Sequence, residues 1–573
     1  MTDDHTAPAA SKWEGFLRHY GAWLLAALTL LVLLPGSDTL PLIDRDEPRF
    51  AQATREMMER GEWIIPYFNG EYRFDKPVLI YWMMRPFYNL MGVNELAARM
   101  PSILCTLALI LVVFRMGRRF FDAVTGFAAT FGLLTCLQIQ IHGRSAVADM
   151  PMVLAVTLSL WALYELLIKP GATPDRKWFW VLYLSQGLGF LAKGPLTQVL
   201  PLVALLLYRF ALWRKPLPWK NLRLHWGIPV IVLIMAAWGI PALIRTDGEF
   251  WRIGMGKHVV ERGIGEINDR RTFVFYYFAT AFLSLCPWIA FLGWGWRILR
   301  REWTPLNVWL LSFLAAPYVI FSLYATRLPH YVLPGFAAFF LILAQGLKLR
   351  REDADGWPRV FFWVATSLYG LVALLVFLAG LNLHLYILPA IPETSPIFWS
   401  ASAILTGLIL MSLAVYFRRM RYVPAALLLV VCSLPILAVS MRKQLPAIQM
   451  REVMQSMPAE TEFIAYRYSE PSLVFYGNRR WTVLTSLDEV NQKLRQPGPK
   501  FIVGIDEQIR FDKNLRKNYA RLLIPKTGSI LTESEKVFDG LFDWRNRGFE
   551  LGRNTGLNYA RSEIVGVECF YRR

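Results

Sequence analysis

Hydrophobic positions in this 573-residue chain fall in long unbroken blocks rather than in short amphipathic stripes. The run WLLAALTLLVLLPG, residues 23 to 36, sets the pattern. About thirteen such blocks approach the ~20 residues a helix needs to cross the hydrocarbon core. They centre near residues 28, 107, 131, 157, 184, 203, 235, 284, 313, 340, 370, 407 and 432. The first follows a short mixed-charge leader without a small-residue cleavage site, so it is expected to be a retained helix.

The polar connections alternate in character. RMGRRF (115–120), RFALWRKPLPWKNLR (209–223), WRILRREW (296–303), KLRREDADGWPR (348–359) and FRRMRY (417–422) are dense in Arg and Lys. If every block crosses, these five fall on one side, which the positive-inside rule makes the cytoplasm. The N-terminus is then cytoplasmic. An odd number of crossings puts the C-terminal tail outside. The other face receives the loop 37–95, HGRSAVADMP (142–151), LAKGP (191–195), the segment 245–271 and ATRLPHY (325–331).

Two segments of the first outer loop have helical texture. PRFAQATREMMERG (48–61) sets Phe50, Ala53, Met57 and Met58 on one stripe. KPVLIYWMMRPFYNLMG (76–92) is apolar but carries Pro77 and Pro86. Both are expected to lie on the membrane surface. Counting the second as a crossing would invert every later loop and spoil the charge asymmetry. From about residue 444 the texture becomes that of a soluble protein. KFIVGID (500–506) reads as a buried strand, and SLDEVNQKLRQ (486–496) as an amphipathic helix with a Ser N-cap. The expected architecture is mostly α: a polytopic membrane domain over 1–443 and a small periplasmic α/β domain over 444–573.

Composition agrees. The chain is 55% hydrophobic and only 18% charged, against about 25% charged for soluble proteins. Its net charge of +19 is largely membrane topology and calls for no nucleic acid. Five cysteines, four of them inside apolar runs, indicate neither a disulfide framework nor a zinc cluster.

The candidate chemistry lies at the outer face. Charges near hydrocarbon are costly, yet DRDEPRF (44–50), YRFDKP (72–77) and RSAVADMP (144–151) place acids at helix ends. Long basic side chains can snorkel to water; Asp46, Glu47, Asp75 and Asp149 cannot reach far. A shared polar cavity explains them better. Spacing leaves Asp44, Asp46 and Glu47 as alternatives, each of which also suits a helix N-terminus. Asp149 could cap the fourth span, with Arg144 as an ion-pair partner. Lys193 lies in GFLAKGPL, where a solvated face does not account for it.

In order along the chain, DEPRFAQATREMMERGEWIIPYFNGEYRFDKPVLIYW, RSAVADMP, LAKGP, HVVERGIGE and TRLPHYVLP resemble integral-membrane glycosyltransferases that use polyprenyl-phosphate sugars, the protein O-mannosyltransferase-like superfamily. Within it the chain is most similar to bacterial transferases that move 4-amino-4-deoxy-L-arabinose from undecaprenyl phosphate to lipid A, a modification that gives polymyxin resistance. The resemblance covers about residues 15 to 443. It implies Asp46 as the catalytic carboxylate facing the acceptor and Asp149 as a second, orienting acid. It implies Lys76, Lys193 and Arg262 at the donor phosphate, with Arg49, Glu47, Arg270, His330 and Tyr331 around them. No cofactor is expected to be required; Asp75 and His258 are a conceivable pair of ligands for a divalent metal, set against a plain ion pair for Asp75. The implied partners are the lipid-linked sugar donor, lipid A and membrane lipids. A protein or glycan O-glycosyltransferase and a lipid flippase are the alternatives; a flippase predicts internal repeats and midplane charges, and neither is evident.

Overall fold

The computed structural model describes residues 7–171, 175–254, 256, 276–348, 356–382, 395–417, 422–440, 442, 445–466, 468–505, 550–558 and 563–572. It is predominantly helical. A helix covers each of the thirteen expected centres. Among the described residues, six helical stretches are long and apolar enough to cross a membrane unaided, and a seventh crossing needs Tyr276–Ser284 and Trp288–Arg301, bent by 108° at the break between them, to count as one. The apolar helices Trp357–Asn382, Ser395–Tyr416 and Val423–Ser440 run for 26, 22 and 18 residues, whereas Ala123–Thr135 and Leu196–Leu212 are shorter. Labels used below are α1 (Ala7–Leu33), α2 (Asp46–Glu59), α3 (Leu79–Met91), α4 (Glu95–Phe120), α5 (Ala123–Thr135), α6 (Leu137–His142), α7 (Asp149–Leu163), α8 (Arg176–Lys193), α9 (Leu196–Leu206) and α10 (Leu224–Arg245).

Burial sorts these helices. In α7 thirteen side chains are buried, from Asp149 to Leu163, so it runs through the centre of the bundle. By contrast α10 exposes Trp226, Val232, Leu233 and Ile244, the apolar surface a lipid-facing helix presents. Close packing of α4 on α5 depends on two glycines: a Cβ on Gly117 would meet Gly126 Cα at 2.4 Å. Small residues at such crossings let helix backbones approach where no aqueous hydrophobic effect draws them together. Asn94 and Asp122 cap α4 and α5 by accepting the amides of Ala97 and Thr125. Of the cysteines, Cys105 and Cys136 are buried as expected, whereas Cys432 is exposed.

Helices form in both segments of the loop 37–95 that the pattern marks as helical. Phe50, Ala53 and Met57 of α2 are buried, with Met58 half-buried beside them. At thirteen residues α3 spans roughly 20 Å at 1.5 Å per residue, too short for the core. The expected strand near 500 and helix near 486 are both present. Strands β1 (Tyr67–Phe68) and β2 (Glu71–Tyr72) pair as a short hairpin after α2, and β3 (Glu462–Tyr466), β4 (Trp481–Leu484), β5 (Lys500–Ile505), β6 (Glu550–Asn558) and β7 (Glu563–Arg572) form one sheet in the order β4-β3-β5-β7-β6. Strand β3 pairs in parallel with β4 and β5, while β7 runs antiparallel to β5 and β6. The helix Leu487–Arg495 opens on a Ser486–Glu489 capping box.

One buried ion pair joins the outer segments. The Glu47 carboxylate accepts Arg99 Nε at 3.0 Å and a second guanidinium nitrogen at 2.9 Å, and also the backbone amides of Ile43 at 2.8 Å and Ala146 at 2.7 Å. Arg99, fully buried, also donates to the carbonyls of Ser37, Leu40 and Pro41. Asp44, one turn away, binds the sheet layer: its two oxygens accept Ser472 N at 2.8 Å and Ser472 Oγ at 2.7 Å. Tyr476 accepts Leu42 N at 2.8 Å, and Asn69 exchanges two 2.8 Å bonds with the backbone of Trp481.

Two outcomes follow from these contacts. Glu47→Ala leaves a buried guanidinium without its carboxylate, so the thermal midpoint of the purified protein should drop by the equivalent of about 3–5 kcal/mol; a midpoint within a degree of the parent would remove the pair from its structural role. Burial pushes the Asp44 carboxyl up to about 7, against the opposing hydrogen bonds from Ser472. Its folded value then exceeds its unfolded one, so the native state holds the extra proton and stability falls as pH rises from about 4 to about 7. Asp44→Asn should flatten that part of the stability–pH curve; parallel curves for parent and variant would refute the assignment.

Candidate active site

The LAKGP motif shows how the sequence sets a functional lysine. Gly194 takes φ +76° and ends α8, a backbone state open to glycine, and Pro195 leads into α9. Lys193 is thereby the last residue of α8, where the helix dipole favours a cation. Asp149 is the first residue of α7, where the dipole favours an anion. The expected cap does not form: Ala148 is the N-cap, and no side chain bonds there. Asp149 instead meets Lys193 directly, both side chains nearly buried. The expected partner, Arg144, is turned away to the Val32 carbonyl and Gln140. Burial and the neighbouring Arg99 lower the Arg144 guanidinium to about 10.

The LPHY turn closes over this pair. His330 Nε2 lies 3.8 Å from Asp149 Oδ1. Lys193 Nζ sits 5.8 Å from the centre of the Tyr331 ring, a cation–π distance. His142, at the end of α6, stacks on His330 with ring centres 4.7 Å apart.

A second cluster surrounds the first outer loop. Asp46 is exposed at the start of α2; Arg45 takes the cap position without a side-chain bond, so Asp46 does not cap the helix. Its charge acts on Arg49 and Arg73. Arg73 is buried, donates to the Tyr81 hydroxyl at 3.0 Å and to Asp75 Oδ2 at 3.1 Å, and lies 4.9 Å from the Phe50 ring. Burial works against the Arg73 charge, but Tyr81, Asp75 and Asp46 outweigh it and raise its pKa. Burial, reinforced by Arg73, lowers that of Arg49. Asp75 also accepts Lys76 Nζ at 3.1 Å.

The two clusters reach the same space. A cavity of about 320 Å³ is lined by Asp75, Lys76, Lys193, Gly194 and Tyr331. Apolar side chains, among them Phe74, Phe190, Leu196, Val232, Trp238 and Phe321, line the remainder. Lys76 is near enough for its charge to act on His330. Lysines some hundred residues apart thus line one cavity whose other walls are mostly apolar, a combination suited to an anionic head group with an apolar tail.

The sequence expectations sort accordingly. Asp149, Lys193, His330 and Tyr331 gather in one cluster; Asp46, Arg49, Asp75 and Lys76 gather in the other. Glu47, expected beside the donor, is corrected: its carboxylate is saturated by Arg99 and two backbone amides, so it is a structural anchor. Asp75, expected as a metal ligand or ion-pair partner, is paired with Arg73 and Lys76. Arg262, Arg270 and His258 lie outside the described residues. Sequence reasoning missed Arg73, Arg99 and His142. Arg73 was legible in YRFDKP, a second basic residue alternating with Asp75; Arg99 lies four residues into an apolar helix, a position that costs free energy unless the charge is paired.

Comparison with known proteins agrees with this arrangement. The family model described as dolichyl-phosphate-mannose-protein mannosyltransferase matches residues 75–240. An undecaprenyl phosphate-alpha-4-amino-4-deoxy-L-arabinose arabinosyl transferase of Edwardsiella ictaluri is 28% identical over 374 residues, 64% of this chain and 64% of that protein. The enzyme of the same name from Yersinia pestis is 28% identical over 397 residues, 67% of this chain and 69% of the relative. The match therefore spans about two thirds of these relatives' length. The crystal structure of ArnT from Cupriavidus metallidurans bound to undecaprenyl phosphate has the same fold, with a TM-score of 0.69 at 19% identity over 96% of this chain and 98% of that one. Family model, curated relatives and fold point the same way: over part of its length the chain is similar to the dolichyl-phosphate-mannose-protein mannosyltransferase family and to the aminoarabinosyl transferases, and it shares the fold of ArnT.

Proposed function

We propose that this chain transfers 4-amino-4-deoxy-L-arabinose from undecaprenyl phosphate to a phosphate of lipid A at the periplasmic face of the bacterial inner membrane. The observation that carries the reading is one mostly apolar cavity lined by both Lys76 and Lys193. The names and substrates of the curated relatives support it. In this reading all thirteen apolar helices cross, the N-terminus is cytoplasmic, and residues 444–573 form a periplasmic domain resting on the first outer loop.

The chemistry follows from the charges. The polyprenyl chain occupies the apolar slot and its phosphate lies between Lys76 and Lys193. As the anomeric C–O bond breaks, negative charge grows on the leaving phosphate oxygen, and fixed ammonium groups stabilise that charge more than the ground state. Asp149 holds Lys193 in place, and Tyr331 packs against it. A lipid A phosphate attacks the anomeric carbon from the opposite side, with inversion. That acceptor is already an anion near neutral pH, so it needs no strong general base. Asp46, exposed and coupled to Arg49 and Arg73, is suited to hold the substrate amine and to balance charge at the acceptor.

The direct test is incubation of the purified protein with the lipid-linked aminoarabinose donor and lipid A, followed by mass spectrometry of lipid A. A mass increase of one aminoarabinose residue is the expected result; sugar on a protein or on another glycan instead would favour an O-glycosyltransferase. Lys193→Met and Lys76→Met should each lower kcat/KM by roughly 10²–10³. Unimpaired turnover in both would dismiss the phosphate site. Asp46→Asn should cut turnover by at least about tenfold while undecaprenyl phosphate still binds; full activity in a folded Asn variant would end its assignment.

A further inference from the structure

Transfer as described leaves His142 without a task. This residue ends α6, Asp149 begins α7 and His330 lies on the turn Pro329–Gly335. The three come from distant segments, yet one ligand atom from each lies within 4.8 Å of the other two. We propose that His142, Asp149 and His330 form a binding site for one divalent transition-metal ion of the zinc class.

The donor set argues for that class. Two imidazole nitrogens and one carboxylate oxygen suit Zn²⁺, Co²⁺ or Fe²⁺, whereas Mg²⁺ and Ca²⁺ prefer oxygen alone. Size also fits. Closing the triangle around a metal with bonds near 2.0–2.2 Å requires each ligand atom to move inward by roughly 0.7 Å. Asp149 has an oxygen to give: Lys193 and His330 both approach Oδ1, and a carboxylate can bind a metal through the other. Both histidines are partly accessible while Asp149 is buried, so the site has a closed floor and an open side. Three protein ligands leave coordination positions for water or an anion, the pattern of non-structural zinc sites.

A supporting residue is in place. The Gln138 side-chain amide lies 2.9 Å from His142 Nδ1. Its oxygen and nitrogen exchange by a simple flip, after which Nδ1–H donates to the amide oxygen and Nε2 is the free ligand. Outer partners of this kind orient metal-binding histidines, and their removal weakens binding by about 10- to 100-fold. The inference stands on the geometry of the cluster and does not require any particular sugar or acceptor.

The test uses the full chain in lipid nanodiscs, stripped with a chelator and titrated with Co²⁺, whose visible absorption reports nitrogen and oxygen ligation. The expected result is saturation at one Co²⁺ per chain, reversed by one equivalent of Zn²⁺. His142→Ala and His330→Ala should each weaken uptake at least tenfold, and Gln138→Leu by about 10- to 100-fold. His142→Gln and His330→Asn keep polar volume, and an unchanged elution profile and metal-free thermal midpoint identify folded variants. Undecaprenyl phosphate binding, measured on the metal-free protein, separates failure of this site from failure of the donor pocket. Stoichiometric uptake that survives in the His142→Ala/His330→Ala double variant overturns the proposal, as does the absence of saturable uptake by the parent.

Discussion

The architecture of the outer face depends on a single buried interaction, the pair of Glu47 with Arg99. A guanidinium inside a helical bundle is tolerated only when its donors are all answered. Here two go to one carboxylate and the rest to three backbone carbonyls of one short segment, those of Ser37, Leu40 and Pro41. The same carboxylate takes the amides of Ile43 and Ala146. The pair therefore locks the exit of α1, the start of α2, the helix α4 and the loop before α7 into one rigid body. Asp46 and Asp149, the two acids of chemical interest, hang from the ends of that body.

That constraint explains a division of labour among neighbouring acids. In DRDEPRF, Asp44 faces the sheet layer and binds Ser472, Glu47 faces inward and binds Arg99, and Asp46 between them faces outward. Three carboxylates within four residues are needed because the chain must anchor in two directions while presenting a charge in a third. The peripheral sheet, held through Asp44, Leu42 and Asn69, thus bears on the same short segment that carries Asp46, so its docking and the site are mechanically coupled.

At the other cluster the ion pair of Asp149 and Lys193 does a different job. Both charges are placed at helix ends with favourable dipoles, and Lys193 is shared between the carboxylate and the face of Tyr331. The lysine is preorganised, so little rearrangement is required when a phosphate arrives. Lys76 is held in the same manner by Asp75, and Asp75 in turn by Arg73. Two lysines, each steadied by its own acid, look into one mostly apolar cavity.

Much of this was legible without coordinates. Long apolar blocks place helices because backbone polar groups in lipid must bond within their own segment. Local chemistry then sets their ends, as at Gly194 and in the Ser486 capping box. The buried face of α2 followed from its stripe of Phe50, Ala53 and Met57. Motif order singled out Asp46, Asp149, Lys76 and Lys193, which the fold gathers in two neighbouring clusters. What only the tertiary structure decided was pairing: that Lys193 rather than Arg144 meets Asp149, that Glu47 serves Arg99, and that His142 lies against His330. These are contacts between segments far apart along the chain. Hydrophobic periodicity records which face of a helix is buried, but not which neighbour buries it, and the partner of a buried charge is chosen by packing geometry that no single segment encodes.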